Sequence, residues 1–259
     1  MNRKPLKHYY DIIIYRTIAN LKRETHRFYL GYFWWLLEPL LNTALFFFIF
    51  SVVLSSKTES FITILLTGTI IWQWLDETAN TTLTSLESNR EIMLDIYLPK
   101  YLFPLVDILT GTWKFICVFV ILIAYLLLTG HELSVHYIWL PIILAFNFIL
   151  IAGLSLGLAL LVPYFKDIKR IAPLMIRALM FVSGVLFETT RVPESKQTLF
   201  FLNPMACYLE SYRNILLYQI PPHMEHLLYA GAFSVGICLV TFWMCHKVDL
   251  HIGKRLTPA

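Results

Sequence analysis

Two cations stand where a membrane helix ordinarily has none: Lys114 and Arg177 both fall inside apolar runs of a 259-residue chain that is 58% hydrophobic. Within the run 101–128, Asp107, Thr110, Gly111 and Lys114 are spaced i, i+3, i+4 and i+7, which draws one polar stripe down an otherwise apolar helix. A cation near mid-span costs about 3 kcal/mol or more on insertion scales, so Lys114 must face the bundle interior, a partner or water. Asp107 is two turns away, about 10 Å by helix rise, so the spacing alone does not pair them. Arg177 is nearer a span end and can snorkel outward. The chemistry available to Asp107, Thr110, Lys114 and Arg177 is that of a translocation path or a helix contact, not of catalysis.

Patterns that could signal catalysis fail on context. Gly153-Leu154-Ser155-Leu156-Gly157 has the form of a nucleophile elbow, but it lies within an apolar helical run, where the same glycines with Ala145, Ala152 and Ala159 favour close helix packing. His131-Glu132-Leu133-Ser134-Val135-His136 misses the zinc-binding spacing by one residue, so its imidazoles do not share a helix face. Cys117, Cys207, Cys238 and Cys245 show no CxxC pair and read as small apolar fillers. No GxxxxGK[ST] phosphate loop occurs, so ATP, if used, is hydrolysed by another chain. No catalytic, cofactor or metal residues are assigned.

The elements that position these groups follow from composition. Charged residues make only 15% of the chain, against roughly 25% in soluble domains, so the expected class is an all-α polytopic membrane protein. A hydrocarbon core about 30 Å thick needs about 20 helical residues. Six runs approach that length, at about 32–54, 60–79, 101–128, 136–162, 171–187 and 227–245. Segments on one side of this alternation carry Arg3, Lys4, Lys7, Arg16, Lys22, Arg23, Arg27, Arg90, Lys100, Lys166, Lys169, Arg170, Lys247, Lys254 and Arg255; the other side carries only Lys57, Arg191, Lys196 and Arg213. The positive-inside rule then places both termini, including a tail at 247–259, in the cytoplasm. The net charge of +4 is too small to point to nucleic acid.

Three further segments have expected roles. Residues 1–31 hold an amphipathic helix whose basic side meets water and whose apolar side lies in the headgroup plane. The connection 80–100 places Glu87, Glu91 and Asp95 on one face of a helix that Pro99 stops. The connection 188–226 has apolar pieces too short to span, broken at Asn203-Pro204 and Pro221-Pro222, as expected of a re-entrant helical hairpin on the outer side.

Arg27 followed by Leu30-Gly31-Tyr32-Phe33-Trp34-Trp35-Leu36-Leu37-Glu38-Pro39 resembles the signature before the first span in permease subunits of type 2 ABC exporters of cell-surface polysaccharide. Asn89, Tyr97-Leu98-Pro99-Lys100 and Pro104-Leu105 resemble that family's gate and coupling segment. Phe165-Lys166-Asp167-Ile168 resembles its cytoplasmic loop, with Lys166 in place of Arg. Ser183-Gly184-Val185, Val192-Pro193, Asn203-Pro204, Glu210 and Arg213 resemble its outer region. The resemblance implies half of a transporter in the bacterial inner membrane: two copies of the chain, two nucleotide-binding ATPases carrying ATP and Mg, and a lipid-linked polysaccharide moved from the cytoplasmic to the outer face. It also implies ATPase coupling through Glu87, Arg90, Glu91 and Asp95, and an interface helix bearing Arg16, Lys22, Arg23 and Arg27. Exporters of a small lipid, drug or cofactor share the same topology. A membrane-embedded transferase requires a convergent set of acid, base or metal ligands, which the chain does not offer.

Overall fold

The described residues of the computed structural model are 6–27, 29–53, 61–95 and 98–255, and all their regular elements are helical. Arg3, Lys4, Lys57 and Tyr97 lie outside them, as do the side chains of Arg27 and Asp95. The helices are α1 (Leu6–Arg27), α2 (Phe33–Phe47, widening into a π-helical stretch at Phe48–Val53), α3 (Phe61–Leu83), α4 (Ser85–Ser88), α5 (Arg90–Asp95), α6 (Leu102–Leu128), α7 (Leu140–Leu161), α8 (Ile168–Val182), α9 (Glu194–Phe200), α10 (Pro204–Leu216) and α11 (Met224–Arg255).

Among the described residues four stretches are long and apolar enough to cross a membrane: Phe33–Ser51, Leu102–Leu128, Val135–Leu161 and Met224–Lys247. Their outward faces remain apolar, with Val120, Leu239, Val240 and Phe242 exposed. The other two expected spans differ for separate reasons. Helix α3, about 34 Å long by helix rise, carries Gln73, Asp76 and Glu77 and is wrapped by α2, α6, α7, α8 and α10. It is the axis of the bundle, so protein rather than lipid covers it. Helix α8 begins at Ile168 and ends at Val182, where Ser183 and a left-handed Gly184 (φ +75°) close its last turn.

Small residues allow α7 and α11 to meet closely. A Cβ on Gly153 would lie 3.1 Å from the backbone N of Cys238, and Thr241 Oγ1 donates to Gly153 O at 3.0 Å, so α7 and α11 pack backbone to backbone along the GxxxG pair. The core between the helices holds Ile64, Leu65, Ile71, Leu75, Leu122, Leu126, Ile143 and Leu150, all buried.

Several expected boundaries move. Helix α11 continues through Lys247 to Arg255, because the charges there end the apolar run without any proline to end the helix. The segment 80–100 is not one helix. Helix α3 continues to Leu83, and α4 and α5 are separated at Asn89, whose side-chain amide donates to Ser85 O at 2.8 Å. Glu87 and Glu91 therefore lie on different short helices rather than on one continuous helix. Helix α1 is not laid flat across the end of the bundle either; it packs along α6, as the contacts below establish.

Candidate functional site

Three contacts step up α1 and α6 together. The Arg16 guanidinium lies 4.9 Å from the Phe103 ring centroid, Asn20 Nδ2 donates to Asp107 Oδ1 at 3.3 Å, and Lys114 Nζ donates to Glu24 Oε1 at 2.5 Å. Both helices rise in the same direction, so α1 is a parallel neighbour of the first half of α6. Arg16 Nη1 also donates to Asn89 Oδ1 at 3.2 Å, tying α1 to the junction between α4 and α5. Partial burial lowers the pKa of Arg16, and the Asp107 carboxylate opposes that shift.

Lys114 is the centre of this seam. Its Nζ sits 2.5 Å from Glu24 of α1 and 2.6 Å from Glu77 of α3, and 5.9 Å from the Trp35 ring centroid at the start of α2. The Lys114 side chain is only 9% exposed, but Glu24 and Glu77 are 36% and 34% exposed. One buried ammonium thus joins two half-solvated carboxylates from two helices. A cavity of about 460 Å³ opens beside them, lined in part by Asn20, Arg23, Asp107 and Thr110. Thr110 donates its hydroxyl to Val106 O at 2.7 Å. The polar stripe predicted on α6 therefore exists, but Lys114 pairs across helices rather than with Asp107.

Arg177 belongs elsewhere. It is exposed on α8 and borders a second cavity of about 380 Å³ with Glu38, Asn42, Gln73 and Asp76, flanked by Phe46, Trp72 and Phe181. No ion pair to Arg177 is formed among the described residues. Consecutive residues Asp76 and Glu77 on α3 point into the two different cavities, so the grouping of Arg177 with Lys114 suggested by sequence separates into two sites.

Of the coupling residues, Glu87 on α4 forms an ion pair with Lys169 on α8, and Glu91 is exposed. Lys22 and Arg23 are exposed on α1, and Arg23 Nη2 donates to Asn20 Oδ1 at 3.3 Å.

The outer-region residues gather around α10. Asn203 caps it, accepting from the Met205 N–H at 3.0 Å while its Nδ2 donates to Ser183 Oγ at 2.7 Å, and Pro204 occupies the first helical position. Arg213 is buried and donates to four carbonyls: Gly184 O (2.7 Å), Phe187 O (2.8 Å), Val185 O (2.9 Å) and Ile64 O (3.3 Å). The last turn of α10 and the loop after α8 are thereby fixed to α3. Glu210 pairs with His226 at 2.6 Å and approaches His223 at 4.0 Å.

Glu24, Glu77 and Asn20 were not singled out by sequence, although a cation in an apolar run requires a carboxylate partner. Glu24 was hidden among the basic residues of α1, and Glu77 among the polar residues ending the second run. With this geometry in place, the sequence profile of the ABC-2 type transporter family matches residues 12–217, most of the chain. The chain belongs to the ABC-2 type transporter family. It is thus a multi-pass membrane transport protein, and the matched range includes both the Lys114 seam and the Arg213 anchor. This ABC-2 transporter is 27% identical over 213 residues to the O-antigen export system permease protein RfbA of Klebsiella pneumoniae, covering 82% of each chain. It is 20% identical over 247 residues to the O-antigen export system permease protein RfbA of Myxococcus xanthus, covering 95% of this chain and 94% of that one. It is 22% identical over 243 residues to the polysialic acid transport protein KpsM of Escherichia coli, covering 92% and 89%.

Proposed function

We propose that this chain is the permease half of an ATP-driven ABC exporter that moves lipid-linked polysaccharide from the cytoplasmic to the outer face of the bacterial inner membrane. The cargo assignment rests on relatives named for O-antigen export and polysialic acid transport, aligned over nearly the whole chain. In this reading α2, α3, α6, α7, α8 and α11 are six spans, both termini face the cytoplasm, and α9 and α10 form the re-entrant hairpin on the outer side. The burial of α10 supports that last point, because a short helix at membrane depth needs protein around its ends. Two copies assemble with two ATPases, which hold ATP and Mg.

The observation that carries the mechanism is the sharing of Lys114 between Glu24 and Glu77. Helix α1 and the α4–α5 segment are the parts offered to the ATPase, through exposed Arg23 and Glu91, together with Glu87, Arg90, Asp95 and Arg27. A displacement of α1 pulls Glu24 against Lys114 and so acts on α3 through Glu77. Because α3 also lines the cavity with Glu38, Asp76 and Arg177, that displacement reaches the polar wall assigned to the passing glycan. Water and sugar hydroxyls can solvate Arg177 there, which removes the cost of a bare cation in the membrane.

The test is reconstitution of the chain with its ATPase in proteoliposomes loaded with lipid-linked glycan. The expected result is ATP-dependent appearance of glycan on the trans face, lost when residues 87–95 are deleted although the chain still inserts. Movement of a small lipid but not of glycan would overturn the cargo assignment.

A further inference from the structure

On the side of α1 away from the charged seam lies an apolar groove of about 570 Å³, between Ile14, Ile18 and Leu21 of α1 and Leu109, Trp113 and Ile116 of α6. Tyr32 and Trp35 close it at the start of α2, and among the described residues Lys22 is the one charged residue on its wall. We propose that this groove is a binding site for an anionic glycerophospholipid, with an acyl chain between α1 and α6 and the phosphate on Lys22.

Three observations name this occupant. The first is packing: α1 meets the bundle chiefly along α6 and has the charged cavity on one flank and this groove on the other. Interiors are close-packed, and an apolar gap of this size beside a membrane helix is filled by the surrounding hydrocarbon. The second is continuity. The groove wall runs directly into the outward face of α6, where Trp113, Ile116, Val120 and Ile121 are 54%, 46%, 59% and 45% exposed, on a helix long and apolar enough to cross a membrane. An acyl chain entering from that face meets no polar barrier. The third is charge. Lys22 is exposed, forms no ion pair among the described residues, and stands among Tyr32, Trp35 and Trp113, residue types that prefer the headgroup level. A lone cation there selects a phosphate that carries net negative charge.

Such a lipid acts as a wedge behind α1. It presses the opposite flank, which bears Asn20 and Glu24, onto Asp107 and Lys114, so the seam closes in membranes that supply the lipid.

The test uses the full-length chain in nanodiscs of equal parts phosphatidylglycerol and phosphatidylcholine, with retained lipid counted by native mass spectrometry after release from the disc. The native chain is expected to keep phosphatidylglycerol over phosphatidylcholine by about fivefold, the discrimination one basic residue gives near an anionic surface. Lys22→Gln abolishes that preference while leaving total retention unchanged. Ile116→Trp, which fills the groove, lowers retention of both lipids at least threefold, and Leu109→Phe does the same by a smaller change if the tryptophan variant does not fold. Equal retention of the two lipids by the native chain, or a preference that survives Lys22→Gln, overturns the proposal. So does displacement of phosphatidylglycerol by an added polyprenyl phosphate, which would make the groove a cargo site. The readout needs neither ATP nor glycan, so its failure leaves the transport reading standing.

Discussion

Arg213 and Lys114 are both buried cations, and their surroundings are opposites. Arg213 is met by neutral carbonyls from two places in the chain, Gly184, Val185 and Phe187 in the loop after α8 and Ile64 of α3, and no carboxylate among the described residues pairs with it. Its hydrogen bonds fix backbone, and backbone has little freedom to follow. Lys114 is met by two carboxylates on flexible side chains, each about one-third exposed to a cavity. Either bond can lengthen and be replaced by water at modest cost. The first arrangement is a rivet and the second a joint that can transmit displacement between helices.

The contrast is most sharply tested by removing the rivet. Arg213→Met leaves the carbonyls of Gly184, Val185 and Phe187 short of a donor, and each orphaned acceptor costs about 1–3 kcal/mol, so we expect a loss of about 3 kcal/mol or more. Thermal unfolding in detergent should show the variant collapsing well below the native midpoint, with little folded chain recovered. Gly68→Ala attacks the same place from the other side. Its Cβ would lie 2.5 Å from Val185 O and 2.8 Å from Arg213 Nη2, and overpacking of that kind costs about 1–3 kcal/mol. The same unfolding assay should rank it between Arg213→Met and the native chain.

Changes at the joint should behave differently. Lys114→Met is expected to move the unfolding midpoint less than Gly68→Ala does, because the carboxylates it abandons can be hydrated from the adjoining cavity. A double-mutant cycle of Lys114→Met with Glu24→Gln should show coupling between the two sites in stability, as residues in direct contact do. The smallest effect belongs to Lys169→Ala. Its pair with Glu87 is partly exposed, so less than about 1 kcal/mol is expected. A loss as large as that of Gly68→Ala would show that the α4–α8 contact is part of the rigid frame.

How much of this was legible in the residues depends on range. Helices α6 and α7 were read nearly to their ends because their apolar runs are continuous and bounded by Pro99, Thr129-Gly130 and Pro163. That α7 packs closely on a neighbour was legible in Gly153 and Gly157, since only small residues permit it, but that the neighbour is α11 was not. Helix α11 outran its expected end because hydropathy marks where a membrane stops, not where a helix stops. The lie of α1 was not legible. An amphipathic pattern states that one side avoids water, and it does not distinguish a headgroup plane from the flank of α6. Lys114 was found as an anomaly in one dimension, but its partners are 90 and 37 residues away and only the packing of α1, α3 and α6 brings them together. Arg213 was noted by motif alone, because a guanidinium satisfied by carbonyls leaves no complementary charge in the sequence.

The ratio of glycan moved to ATP hydrolysed, measured for Lys114→Met in proteoliposomes with its ATPase, bears on the joint more than any stability value. If Lys114 links α1 to α3, ATP hydrolysis persists near the native rate while glycan export falls at least tenfold, and Lys114→Arg recovers part of it. Export and hydrolysis that both stay native in Lys114→Met would show that motion reaches the glycan path without passing through this residue.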